Sequence, residues 1–354
     1  MIHKTLPGEG GDGRWFANLN AFEQQETKRQ IDFKRRNWPK LPDGRFSKQP
    51  NITYPHILPE GELHKSFWSK IAEQVLNYCA DEDIAVHSEA LNLRSSQVCC
   101  FNFMFPLRQD LVLAKKALLP MLPGVEEILG FEFEYTGPQE QQKDISRWLG
   151  EPASGKRGQN RTSIDVAIFW KDREGRRCLT LAEWKYTERQ YGDCGGFRST
   201  GNTKKEFCQS GMQSPADVRG NCYLTVGRNT RTYWDNLGEA GIDIDKALAG
   251  VEGCPFRGPF YQLLRQYLLA ARLRQTGHFD SVDVVSIGFR GNANLEDVPA
   301  HLVPLGQTVI EAWNSILLPP VPRMRHVYVE DIMNSAGNSG DPDWREYIRG
   351  RYGV

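Results

Sequence analysis

Two apolar runs joined by a short turn constrain this chain more than any other stretch. The first reads Ser163-Ile-Asp-Val-Ala-Ile-Phe-Trp170, the turn is Asp172-Arg-Glu-Gly175, and the second reads Cys178-Leu-Thr-Leu-Ala-Glu-Trp-Lys185. Runs rich in β-branched and aromatic residues on either side of a Gly-containing turn predict two adjacent strands. Both carry charges at the end away from the turn: Asp165 on the first, Glu183 and Lys185 on the second. Residues two apart share a face of a strand, so Glu183 and Lys185 point the same way. Such charges cost desolvation free energy unless they are paired or hold a metal. The set is an anionic cradle beside a cation, which suits metal-assisted cleavage of a phosphodiester. A structural salt bridge at a strand end is the competing reading.

The bare pattern is weak. A carboxylate two residues before a lysine is expected by chance about twice in a chain of this composition. It recurs at Glu26/Lys28 and at Asp32/Lys34. Those copies lie in a highly charged stretch without a strand pattern and read as solvated helix or loop charges. The segment Lys28–Trp38 is basic with interleaved aromatics and would suit a phosphate backbone, although a solvated face is the commoner outcome.

The chain's 354 residues suffice for one large domain or two modest ones, and 9 Trp and 17 Phe can fill a substantial core. Lys plus Arg and Asp plus Glu both total 44. No global basic field exists, so any nucleic-acid contact must come from local patches. The segment Met1-Ile-His-Lys-Thr-Leu-Pro-Gly has no apolar core of a secretory signal, and no apolar stretch approaches membrane-spanning length. A cytoplasmic protein without membrane contact is the expectation. The eight cysteines are widely scattered, which argues against a small disulfide scaffold.

Leu63, Phe67, Ile71 and Val75 recur every four residues, flanked by Trp68 and Leu76, and predict one packed amphipathic helix. A second helix is expected over Asp110–Met121, stopped by Pro123-Gly124. Phe131–Tyr135 alternates strictly and reads as a strand. Residues 136–162 are polar, with one short helix expected, and residues 186–230 are loop-like. Tyr261–Arg274 is a helix built on Leu263, Leu264, Tyr267, Leu268 and Ala271. Val282–Phe289 is a strand, Leu305–Leu317 helical, His326–Val329 a short strand, and Trp344–Arg351 a closing helix. From residue 110 the order is helix, three strands, helix, strand. That order predicts an α/β architecture with a mixed sheet flanked by helices.

With Asp165, Glu183 and Lys185 on its second and third strands, this order resembles the PD-(D/E)xK nuclease superfamily, and within it a bacterial restriction-endonuclease-like family. The pieces that carry the resemblance are Ser95-Ser-Gln97 with Asn102, Phe131-Glu-Phe-Glu134, Asn160-Arg-Thr-Ser-Ile-Asp165, Glu183-Trp-Lys-Tyr-Thr-Glu188, Tyr261-Gln-Leu-Leu-Arg265, and the closing Trp344, Tyr347, Arg351 and Tyr352. One departure is Ile164, where the superfamily's name places Pro. The resemblance implies a restriction-endonuclease-like core over residues 109–354, ending in the C-terminal helix, behind a mostly helical extension over residues 1–108.

It further implies a nuclease that hydrolyses DNA with Mg²⁺ or Mn²⁺, in defence against foreign DNA. Asp165 and Glu183 would ligate the metal, as hard cations prefer oxygen donors. Lys185 would position or deprotonate the attacking water. Glu134 is a candidate further ligand, and Glu132, two residues before it, is the alternative. Gln262 and Arg265 share a helix face and would support the metal site or the DNA backbone. Arg161, Lys156 and Arg157 would meet phosphates, and Ser96 and Gln97 would border the site or satisfy a turn. Cys194, Cys208, Cys222 and Cys254 form a potential zinc or iron–sulfur set, but they lack a close CxxC pair, so buried free thiols are expected instead. The alternative function is a nucleic-acid-binding or scaffold protein on an inactive nuclease fold. The oligomeric state is left open, a homodimer included.

Overall fold

The computed structural model describes residues 14–152, 161–218, 220–226 and 231–354. Its N-terminal part begins with a single turn α1 (Arg14–Ala17) and the long helix α2 (Ala21–Asn37). Asn20 starts α2 with a capping box: its side chain accepts from Glu23 N, while the Glu23 carboxylate accepts from Asn20 N, both at 2.8 Å. The Glu26/Lys28 and Asp32/Lys34 copies lie on this helix. They are not uniformly solvated: Lys28 and Asp32 are exposed, whereas Glu26 and Lys34 are buried. Lys34 Nζ donates to the carbonyls of Pro42 (2.9 Å) and Ile57 (2.7 Å), and Tyr186 OH donates to Glu26 at 2.7 Å.

A hairpin, β1 (Gly44–Phe46) with β2 (Gln49–Tyr54), precedes α3 (Ala72–Asp81), α4 (Ser96–Gln109) and α5 (Leu111–Ala117). The single helix expected from Leu63 to Leu76 is broken. A 3₁₀ turn covers Leu63–Ser66, Phe67 is extended, and α3 starts at Ala72. The backbone groups that a continuous helix would use are taken elsewhere. Trp68 N donates to Asn102 Oδ1 (2.8 Å), and Ser66 O accepts from Asn102 Nδ2 (3.1 Å) and from Arg351. The helix expected over Asp110–Met121 is shorter, running from the Asp110 cap to Ala117.

The central sheet has five strands in the order β3 (Val125–Tyr135), β4 (Ile164–Asp172), β5 (Arg177–Trp184), β6 (Ser281–Gly288) and β7 (Arg325–Tyr328). β3, β4 and β5 are antiparallel neighbours, while β5, β6 and β7 run parallel. The mixed α/β sheet flanked by helices is as the sequence predicts. Between β3 and β4 lies α6 (Gln142–Leu149). Between β5 and β6 lie α7 (Gly195–Arg198), α8 (Ile244–Leu248) and the long α9 (Phe260–Gln275). α10 (Val309–Ser315) precedes β7, and α11 (Val329–Ala336) and α12 (Pro342–Tyr352) close the chain.

Two cores sandwich the sheet, as the period of two requires. Val166, Ile168 and Trp170 face one core with α3, α4, α5, α11 and α12. Ala167 and Phe169 face the other with α6, α9 and α10. α4 is apolar nearly all round, from Val98 to Leu107, because it is enclosed on every side. Its one central polar side chain, Asn102, also donates to Tyr352 OH at 2.9 Å.

Candidate active site

The register of the sheet aligns the charged residues. Phe133 pairs with Val166 and Tyr135 with Ile164, so Glu134 lies opposite Asp165. Val166 pairs with Ala182, and continuing that antiparallel register puts Asp165 opposite Glu183. Glu183 in turn pairs with Ser286. A polar row, Glu134–Asp165–Glu183–Ser286, therefore crosses four strands, met by α4 at Glu134 and by α9 at Glu183. Glu134 has φ 47°, a left-handed conformation that non-glycine residues rarely adopt. The kink breaks strand alternation: Phe133, Glu134 and Tyr135 are all buried. Of the two glutamates left open by the sequence, Glu134 is the one beside Asp165 and Glu183.

Each member is held by specific donors. Gln97 Nε2 (2.8 Å) and Ser163 Oγ (2.9 Å) donate to Glu134. Trp184 N donates to Asp165 at 2.6 Å. Glu183 accepts from Lys185 Nζ (2.8 Å), from Gln262 Nε2, and from Gln266 Nε2 (2.6 Å). Gln262 is itself fixed by Gly192 N, which donates to its Oε1 at 2.6 Å. Lys185 lies just past β5, with its N–H on Ile287 O at 2.8 Å, and its ammonium stands 5.8 Å from the centre of the Tyr191 ring.

The electrostatics follow from burial and crowding. Burial, then the charges of Glu183 and Glu134, hold the Asp165 carboxyl well above the usual range. Burial, reinforced by Glu183 against the donors Gln97 and Ser163, also raises that of Glu134. Burial alone would depress Lys185, but Glu183, Glu188 and Asp165 outweigh it and raise its pKa, so it is a cation at neutral pH.

A cleft of about 610 Å³ opens onto this row. Glu134 and Asp165 form part of its wall, with Ser96, Gln97, Thr187, Glu188 and residues 85–89 around them. Arg94 also lines it, and its Nε and Nη1 are buried without a hydrogen-bond partner among the described residues.

The structure thus brings Glu134, Asp165, Glu183, Lys185, Gln262 and Gln97 together. Ser96 lines the same cleft. Arg265 points elsewhere: it donates to Thr162 Oγ1 at 3.0 Å and lies 3.7 Å from the Glu151 carboxylate, despite sharing a helix with Gln262. Arg161 is buried, and Lys156 and Arg157 lie outside the described residues. Gln266 and Arg94 are not among the residues named from the sequence, and Ser163 and Glu188 enter there only as members of longer segments, without a role. For Gln266 a signal existed, because a residue four beyond Gln262 sits above it on the helix.

Among the described residues, no three His, Cys, Asp or Glu side chains are arranged to hold a single ion. Glu183 is turned onto Lys185 and the two glutamines. The donor chemistry nonetheless fits a hard divalent cation: buried carboxylates repel one another, and positive charge would relieve them. No helix among the described residues is long and apolar enough to cross a membrane.

No curated protein and no solved structure matches this chain. A sequence model of one family does, described as Restriction Endonuclease associating with ARP, over residues 24–353. The match spans nearly the whole chain, and the mixed sheet flanked by helices is compatible with a restriction-endonuclease-like fold. The chain belongs to the family of restriction endonucleases associating with ARP.

Proposed function

We propose that this chain is a divalent-metal-dependent endonuclease of the PD-(D/E)xK type that cuts DNA in defence. The observation that carries the reading is the row of Glu134, Asp165 and Glu183 on three adjacent strands, with Lys185 buried beside it. Asp165, Glu183 and Glu134 would hold Mg²⁺ or Mn²⁺. The ion supplies charge stabilisation at the scissile phosphate and a lower pKa for bound water.

The chain's own residues supply the remainder. Lys185 is a permanent cation, positioned by Glu183 and the Tyr191 ring to meet phosphate charge or orient water. Gln262 and Gln266 restrain Glu183 from α9. Arg94 brings a guanidinium to the cleft wall, a charge that suits a phosphate. A separate groove between α2 and α12 is lined by Lys28, Arg29, Arg35, Arg36, Arg345 and Arg349, with Asp32 and Glu346 among them. It is a local basic surface on a chain of zero net charge and would contact the duplex backbone away from the cleft.

The closed Lys185–Glu183 pair is also the geometry of a purely structural ion pair, and it supports the second reading, a DNA-binding protein without catalysis. Incubating the purified chain with supercoiled and linear DNA in Mg²⁺, Mn²⁺ or EDTA separates them. Metal-dependent nicking or linearisation is expected. Binding without cleavage on any plain or modified substrate would favour the second reading.

A further inference from the structure

Among the described residues of 185–259, between β5 and α9, the regular structure is limited to short helical turns. Among the described residues between 187 and 226 the buried apolar side chains are Tyr191, Cys208, Met212 and Val218, whereas residues 231–259 bury Tyr233, Leu237, Ala240, Ile242, Ala247, Val251 and Phe256. A stretch as long as 187–226 with so little regular structure and so small a core of its own is uncommon in a compact domain unless something fastens it. Cys194, Cys208, Cys222 and Cys254 lie on four separate turns of this segment, 14, 14 and 32 residues apart in sequence. The fold brings all four onto one small cavity of about 30 Å³, walled otherwise by side chains such as Phe197, Leu224, Trp234 and Phe256. Hydrogen bonds to one carbonyl hold the turns in place: Cys254 N donates to Cys208 O at 2.9 Å, and the Arg257 guanidinium Nη1 donates to the same carbonyl at 2.9 Å.

We propose that Cys194, Cys208, Cys222 and Cys254 are the ligands of a thiolate-bound metal centre, zinc or an iron–sulfur cluster, that fastens this segment to the start of α9. The chemistry is that of soft sulfur donors in an apolar pocket without a competing histidine or carboxylate in its lining. As the side chains stand, no three converge on a single ion. Occupation therefore requires the sulfurs either to draw in around zinc or to span the wider body of a cluster. Burial, with neighbouring cysteines adding to it, raises the thiol of Cys194 to about 11 and that of Cys254 well above its ordinary value. The free thiols are protonated, and binding the metal would release protons as Cys–metal bonds form. All eight cysteines are free, so no disulfide competes for these sulfurs.

The consequence reaches the active site. Tyr261 and Leu264 of α9 wall the same cavity, and the same two turns of that helix carry Gln262 and Gln266 to Glu183. The inference does not depend on the nuclease reading, since its test reads metal rather than cleavage. The full chain is produced in medium supplemented with iron and zinc and purified without oxygen or chelator. Zinc, iron and acid-labile sulfide are then quantified, and native mass spectrometry gives the mass added per chain. Metal stoichiometric with the chain is expected, with zinc alone marking a single ion and iron with sulfide marking a cluster. Cys222→Ser and Cys254→Ser should lose it, and Cys178→Ser, a buried cysteine on β5, should keep it. Stripping the wild-type chain with a chelator should lower its melting temperature, which keeps the test decisive where a variant does not fold. Metal-free wild-type protein from supplemented medium, or metal retained undiminished in both ligand variants, would overturn the proposal.

Discussion

Lys185 and Asp165 sit in one buried cluster, yet they should fail differently when replaced. In the proposed reading Asp165 and Glu183 would supply ligand oxygens, so Asp165→Asn and Glu183→Gln should abolish both cleavage and calorimetric Mn²⁺ binding. Lys185→Met removes a cation and no ligand. It should lose cleavage by about a hundredfold or more, the scale of a charge-stabilising or proton-handling group, while still binding Mn²⁺. A Lys185→Met protein that cuts DNA normally would return the pair to a structural role. Asp165 also carries a pH signature. Its carboxyl is raised above the ordinary 3.8 by burial and by Glu183 and Glu134. The metal-free fold therefore prefers the protonated form. That contribution to stability is complete below the ordinary value and is lost as pH rises through the elevated one. In EDTA, Asp165→Asn should melt higher than the wild type at neutral pH, and the gap should close on acidification. An unchanged gap across that range would show that Asp165 does not titrate as the geometry requires.

Among the elements, α9 shows what a sequence discloses and what it withholds. Its apolar stripe made the helix legible, and Gln262 was visible on its polar face. Which polar residues turn toward Glu183 depended on the rotation of the helix over the sheet, which no local pattern encodes. The outcome is that Gln266 reaches the carboxylate and Arg265 goes to Glu151 and Thr162. Gln266→Leu should therefore slow cleavage by about tenfold, the low end for a group that orients a ligand, with DNA affinity kept. Arg265→Ala should lower the melting temperature more than it slows cleavage. The reverse ranking in single-turnover cleavage and melting assays would contradict this rotation. Within the mostly helical extension expected over residues 1–108, α2 and α4 carry no period that fixes their bounds, for opposite reasons. The buried face of α2 includes Glu23, Glu26, Gln30 and Lys34, whose partners are distant in sequence, so no apolar period marks it. α4 is apolar all round, so it has no stripe to count. The strands β4 and β5 were legible because burial on both faces leaves a continuous run of β-branched and aromatic side chains. Glu134 was only half legible, because a backbone kink rather than alternation turns it into the row.

At the scale of the molecule, two convergences differ in how far the sequence announces them. The carboxylate row needs only adjacent strands in register, so a hairpin in the sequence already implies half of it. The four-cysteine cavity needs a long irregular segment to fold back on itself, and wide spacing hides it. A third convergence ties the chain's ends. Arg351 of α12 is fully buried and donates to the carbonyls of Ser66 and Leu93, to Tyr347 OH and to Gln30 Oε1. Gln30 Nε2 returns a bond of 2.9 Å to Arg351 O and one of 2.8 Å to Tyr186 OH, one residue beyond Lys185. Trp344 Nε1 donates to Asn102 O at 2.9 Å, so α12 also grips α4. Several of the residues that carried the family resemblance, Asn102, Trp344, Tyr347, Arg351 and Tyr352, belong to this tether rather than to the carboxylate row. The N-terminal segments should consequently unfold together with the sheet. Calorimetry should show one cooperative transition for the intact chain. Arg351→Met keeps the volume but leaves buried acceptors unpaired at about 1–3 kcal/mol each, so the variant should lose several kcal/mol of stability. In that variant proteolysis should begin within residues 21–66, because those segments lose their anchor first. Two separated melting transitions in the wild-type chain, or an Arg351→Met variant as stable as wild type, would mean that the tether does not couple the two ends.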